Sequence, residues 1–196
     1  MPLALAFAIL LLLSGCKGGD ENIDLHDIVL PDIVFVMAHY YPIEKEYLTG
    51  TFIGTAGHYI DKNGEIKYFE FEDDTRPIYK DESITMEEYI DLRNIKEFHK
   101  RITEISIDTE FEPVSKSDLI NYYKSLLKIN KKNKLNLKYS SSDALFGLRC
   151  IYGVRTINGN DIEYVIINED GDDYYYNDNH RADQLYRQLL GIFPKM

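Results

Sequence analysis

Tryptophan is absent from this chain, and cysteine occurs only at positions 16 and 150 of 196 residues. Without tryptophan, a sugar-binding ledge would lack its best stacking ring. Positive charge is also in deficit, with 22 Lys and Arg against 33 Asp and Glu and a formal net charge of −11. That balance disfavours nucleic acid, whose phosphates need a basic footprint, and it disfavours broad adhesion to anionic lipid. None of the five histidines (His26, His39, His58, His99, His180) forms an HExxH pair or shares ligand spacing on one helix. Ser140-Ser141-Ser142 has no GxSxG elbow around it, no glycine-rich phosphate loop occurs, and no cysteine pair fits zinc. No catalytic signature stands out.

The longest apolar run is Leu3 to Leu13. As a helix it would rise roughly 16 Å, about half of the ~30 Å bilayer core, so it suits a signal-peptide hydrophobic region better than a membrane span. It ends in Leu13-Ser14-Gly15-Cys16, followed by Lys17-Gly18-Gly19. This resembles the lipobox of bacterial lipoproteins, although no Lys or Arg precedes the run. The resemblance implies that residues 1–15 are removed and that Cys16 is acylated to become the mature N-terminus. It further implies a protein tethered through lipid to the extracytoplasmic face of a cell membrane. Residues 16–27 then read as a polar tether and 28–196 as a single domain. With Cys16 committed to lipid, Cys150 has no disulfide partner, and stability must come from packing.

Along the domain, Ile28 to Tyr41 is rich in β-branched and aromatic residues and predicts a strand interrupted at Pro31. The stretch YIDKNGEIKYFE, Tyr59 to Glu70, matches several positions of an EF-hand calcium loop. However, its first position is Tyr59, and both flanks alternate with the period of a strand. Asn63-Gly64 therefore predicts a hairpin turn. Thr85 with Glu88 forms a capping-box start to a helical stretch. Its apolar stripe changes phase near Leu92 to Asn94 and continues through Ile95, Phe98, Ile102 and Ile105, predicting a kink. A second helix follows Pro113, with Ser115 as N-cap and a stripe of Leu119, Ile120, Tyr123, Leu126 and Leu127. The lysine-rich KKNKLNLK, Lys131 to Lys138, reads as a solvated turn. Two further runs around Ile157-Asn158-Gly159-Asn160 predict a second hairpin. Asp170-Gly171 turns into Tyr174-Tyr175-Tyr176, and a final helix carries Ala182, Leu185, Tyr186, Leu189 and Leu190 up to Gly191.

Strands, helices, strands and a helix in that order predict an α+β domain. Its antiparallel sheet would be built from two hairpin regions with about three helices packed on it. Helices on one face would leave the other wet or open to a partner. An offset of 96 aligns Gly57…Ile66-x-Tyr68 with Gly153…Ile162-x-Tyr164, a likeness that hairpin grammar alone explains.

The most unusual composition is DGDDYYYNDNHR, Asp170 to Arg181. Asp172, Asp173, Tyr174, Tyr175, Tyr176 and Asn177 fit three uses: a strand of half-buried tyrosines, a ledge for a ligand or protein partner, or a weak calcium site. If the first two strands turn near Glu46, His39 and His58 stand roughly 20 Å apart and share no metal. Cys150 shares an apolar face with Leu148, Tyr152 and Val154, which predicts a buried thiol. The expected function is a non-enzymatic binding module, needing no cofactor and held at the membrane by its anchor, with an inhibitor or immunity role as one form. The alternatives are a wall-directed hydrolase whose acids converge only in the fold, and a structural subunit of a membrane complex.

Overall fold

The computed structural model describes residues 28–44, 51–78, 95–129, 135–140, 148–157, 161–170 and 173–194. The signal segment and tether (1–27), the Thr85–Glu88 capping box, the kink near 92–94, the second hairpin's turn residues 158–160 and Asp172 lie outside them. The described strands are β1 (Ile33–Glu44), β2 (Thr51–Asp61), β3 (Ile66–Ile78), β4 (Ile107–Asp108), β5 (Leu135–Ser140), β6 (Leu148–Ile157), β7 (Asp161–Asp170) and β8 (Asp173–Asn177). They form one sheet in the order β4-β3-β2-β1-β6-β7-β8-β5, with every neighbouring pair antiparallel. The described helices are α1 (Ile95–Ile105), α2 (Lys116–Leu127) and α3 (His180–Ile192). The α+β architecture is the one the pattern of runs predicts.

The β2–β3 hairpin forms where Asn63-Gly64 places it. Gly64 N–H closes the turn on Asp61 O at 3.0 Å, and Gly64 has a φ of 88°, a region that glycine enters without steric cost. The Asp61 carboxylate accepts the backbone N–H groups of Asn63 (2.8 Å) and Glu65 (2.9 Å), so it serves the turn itself. Tyr59, at the head of the calcium-loop match, is buried, with its hydroxyl 2.9 Å from Ser106 Oγ. Gly64 also answers to the segment leading into α2, because Val114 N–H donates to Gly64 O at 2.9 Å. A Cβ on Gly64 would lie 2.2 Å from Val114 O.

The helices divide between the two faces of the sheet, which corrects the one-faced packing expected. On one face α1 lays Ile95, Phe98 and Ile102 over Val36, Ala38, Phe69, Cys150, Tyr152 and Val154. On the other, Leu119, Tyr123 and Leu126 of α2 and Ala182, Leu185 and Leu189 of α3 cover Phe35, Met37, Ile60, Ile151, Val165 and Ile167. Each fully buried aliphatic side chain contributes about 1.5–3 kcal/mol, so both faces are needed to hold a fold without a disulfide. Ile105 departs from its expected stripe and is 39 % exposed.

Helix boundaries follow local chemistry. Ser115 caps α2, accepting Asp118 N–H at 3.2 Å, and Asn179 caps α3, accepting Arg181 N–H at 3.0 Å. α3 runs one residue past Gly191, to Ile192. The two glycines of the 96-residue offset serve opposite faces. Gly57 leaves room for the Phe69 ring on the α1 face, and Gly153 leaves room for Leu126 on the α2 face. Hairpin grammar accounts for their likeness better than duplication does.

Candidate functional site

Strand register builds a polar row across the α2–α3 face. Glu70 pairs with Ala56, Ala56 with His39, His39 with Arg149 and Arg149 with Asp170, linking β3, β2, β1, β6 and β7. One row closer to the helices stand Tyr68, His58, Met37, Ile151 and Asn168. Met37 and Ile151 belong to the core beneath the helices, so cover ends between these two rows and polar chemistry begins. Ala56 supplies a small floor between Glu70 and His39. His39 and Arg149 are half-buried, while Glu70 is exposed.

The two histidines illustrate how register decides a site. β1 and β2 pair Glu44 with Thr51, placing His39 opposite Ala56 and His58 opposite Met37. They are therefore diagonal neighbours on one face, about 7–8 Å apart at Cα, rather than the 20 Å expected. The error came from centring the turn on Glu46. Among the described residues no three His, Cys, Asp or Glu side chains are placed to hold a metal ion.

Around His58 the site becomes aromatic. Its ring lies 5.1 Å from that of Tyr68 and 6.0 Å from that of Phe111, whose own side is 46 % exposed. Burial lowers the His58 pKa, and its Nδ1 has no hydrogen-bond partner among the described residues. Tyr68 donates its hydroxyl proton to Glu70 Oε2 at 2.7 Å, fixing the carboxylate. Burial, reinforced by that bond, raises the Tyr68 pKa to about 12. A carboxylate bonded by a tyrosine hydroxyl, an imidazole and a guanidinium in one cross-strand row can recognise paired polar groups.

The opposite face buries a second ionisable cluster under α1. Cys150 sits in β6 opposite Ala38 on one side and Glu169 on the other. The thiol is fully buried, and burial followed by the Glu169 charge pushes its pKa well up. It is protonated at neutral pH and inert as a nucleophile. Tyr152 is also buried, its hydroxyl 3.2 Å from His99 Nε2, with the two rings 7° from parallel. Burial pulls the His99 pKa down to about 4.

Cys16 and Asp172 lie outside the described residues. Asp173, Tyr174, Tyr175 and Tyr176 occupy β8, an interior strand between β7 and β5. Tyr174 shares its register row with Asp170 and Tyr176 with Asn168, whereas Tyr175 is in register with Glu169. Successive strand residues alternate between faces, which puts position 175 on one face and positions 174 and 176 on the other. Asn177 is buried, donates to Ile166 O at 3.1 Å and accepts Asn179 N–H at 3.1 Å. Its amide builds the entry to α3. The row on β3, β2, β1 and β6 escaped sequence reasoning, although each member sits on a strand that the sequence did indicate.

Compared with known proteins, the chain matches no family model, no curated protein and no solved structure.

Proposed function

We propose that this chain is a lipid-anchored binding module on the extracytoplasmic face of a bacterial membrane, engaging a protein partner or ligand without turning it over. The location rests on the lipobox resemblance at Leu13 to Cys16. The binding role is supported above all by the cross-strand row, where Glu70, held by Tyr68, lines up with His39 and Arg149 beyond the edge of the helix cover. These groups are presented by a rigid sheet, with the one described thiol packed away on the other face. The acidic surface would speed encounter with a basic partner, as an inhibitor or immunity role against a basic extracellular enzyme requires. A wall-directed hydrolase remains the second reading because Glu169 is a carboxylate only 6 % exposed, next to Cys150.

Cross-linking and pull-down of the full-length tagged protein from its native membrane tests both parts. A partner in stoichiometric amount is expected with the native chain and is lost with Glu70→Lys. Cys16→Ser is expected to move the protein out of the membrane fraction. A clean blank from the native chain overturns the binding role. In that case, release of wall fragments abolished by Glu169→Gln would establish the hydrolase.

A further inference from the structure

At the β4 end of the sheet an exposed apolar patch lies over a buried imidazole. Ile107 of β4 stands opposite Tyr68, and Tyr68 opposite His58. Cross-strand partners share a face, here the one that carries α2 and α3, since His58 in turn faces the core residue Met37. Ile107 is 61 % exposed, Tyr68 is half-buried, and the exposed ring of Phe111 comes within 6.0 Å of the His58 ring. His58 itself is only 5 % exposed, yet its Nδ1 has no hydrogen-bond partner among the described residues. Buried polar atoms are paired as a rule, so an orphan nitrogen beneath exposed rings points to a group supplied from outside.

Local anchoring and charge define that group. Thr109 Oγ1 donates to Ile66 O at 2.6 Å and Val114 N–H to Gly64 O at 2.9 Å. The segment that carries Phe111 is thus pinned on both sides, and a turn of the ring uncovers His58 while the segment keeps its place. Four exposed acids (Glu104, Asp108, Glu110 and Glu112) lie between Thr103 and Pro113, a stretch with no base, and Asp108 pairs with Lys67. Glu70, exposed and bonded by the Tyr68 hydroxyl, adds a carboxylate in the adjoining row. Rings beside carboxylates favour a planar cation, because a guanidinium stacks on aromatic faces and bonds carboxylates through its fork. The chain makes this kind of contact with itself on the opposite face of β3. There the Arg101 guanidinium lies 3.8 Å from the centre of the Phe71 ring and donates to Glu72 O at 3.2 Å.

We propose that a basic protein partner docks here through an arginine, whose guanidinium enters between the Tyr68 and Phe111 rings. Its N–H groups are donated to the Glu70 carboxylate, which accepts more than one bond, and to His58 Nδ1 in the tautomer that leaves the lone pair there. Glu110 and Glu112, on either side of Phe111, draw the cation in, and apolar residues beside the arginine meet Ile107. Lysine fits less well, because its ammonium is a compact, strongly hydrated charge that cannot stack flat on a ring. This inference rests on the binding role proposed above and names the group by which the partner is held.

The test is titration of the full chain in non-ionic detergent with the blocked peptide Ac-Ser-Leu-Arg-Leu-Ser-NH2, followed by backbone amide chemical shifts. The same peptide with lysine or with citrulline, an uncharged mimic of arginine's shape, serves as comparison, and its leucines cancel any partition into detergent. The arginine peptide is expected to bind with a Kd of about 1 mM or tighter and to shift the amides of Tyr68 and Phe111. The lysine peptide should bind at least ~3-fold and the citrulline peptide at least ~10-fold more weakly. Phe111→Ala, Glu70→Gln and His58→Phe should each weaken the arginine peptide at least ~3-fold, and circular dichroism checks that each variant is folded. Citrulline binding as tightly as arginine, shifts that map elsewhere, or no saturable shift at ~10 mM overturns the proposal. Such a failure leaves capture of a partner at Glu70 standing, whereas a blank capture from the native membrane overturns the binding role itself, so the two failures are distinct.

Discussion

Acidification acts on a specific point in this fold, the imidazole that His99 of α1 lays against Tyr152. Its pKa in the fold is about 4, against ~6.5 for an unperturbed histidine. Between those values the unfolded chain binds a proton that the folded chain refuses, so stability falls as pH falls. The contribution is fully present above pH ~6.5 and fully lost below about 4. The gap of two to three pH units corresponds to roughly 3 kcal/mol, a large share of a small domain's stability. His99→Phe isolates this effect. Phenylalanine keeps a ring against Tyr152 but removes both the titrating nitrogen and the partner of the Tyr152 hydroxyl, whose loss costs about 1–3 kcal/mol. At pH 7.5 the native chain should therefore be the more stable of the two by that amount. By pH 4.5 it should have lost about 2–3 kcal/mol more than the variant, closing or reversing the gap. Urea unfolding midpoints at pH 7.5, 6.5, 5.5 and 4.5 measure this directly. His58, whose pKa burial also lowers, and the many carboxylates are present in both proteins, so they cancel in the difference. A gap that stays constant from pH 7.5 to 4.5 would refute the burial of a neutral His99.

Two further perturbations probe the core. A Cβ on Gly153 would lie 2.5 Å from a Leu126 methyl, so Gly153→Ala should cost about 1–3 kcal/mol and Leu126→Ala about 2–5 kcal/mol. The double variant should cost less than their sum by about 1 kcal/mol or more, since removing Leu126 makes room for the new methyl. Simple additivity in chemical denaturation would mean that α2 does not press on β6 there. In a Cys16→Ser chain, Cys150 should resist a thiol reagent at pH 8 until the protein unfolds. Prompt labelling of the native protein would contradict its burial.

Elements with strong local chemistry were legible from sequence alone. Asn63-Gly64 between alternating runs specified the hairpin, and Ser115 with its apolar stripe specified α2. The final helix was equally clear from Ala182, Leu185 and Leu189, although its start depends on Asn177 and Asn179, whose amides looked like surface chemistry. Relationships between elements were harder to read. The partner of His39 depends on where the chain reverses between Glu44 and Thr51, and a small displacement of that centre moves each cross-strand partner by several residues. A pair of histidines can thus pass from distant to adjacent with no change in either strand's own pattern.

Coverage of both faces did leave a trace in the sequence. Ile33 to Ala38 is apolar at every position, as is Cys150 to Val154 apart from a tyrosine hydroxyl, and a strand wet on one face would alternate instead. β1 and β6 are the adjacent strands at the centre of the sheet, buried against α1 on one side and α2 with α3 on the other. Read along one face of β1, the residues run Phe35, Met37, His39, while the other face runs Val36, Ala38, Tyr40. The first face changes from core to polar at His39, and the second stays buried through Tyr40. On β6 the same change falls between Ile151 and Arg149, the cross-strand partners of Met37 and His39. Two strands that switch polarity at paired positions mark a boundary of cover across the sheet. The polar row lies just beyond that boundary, so the packing of α2 and α3 sets where recognition chemistry can be displayed.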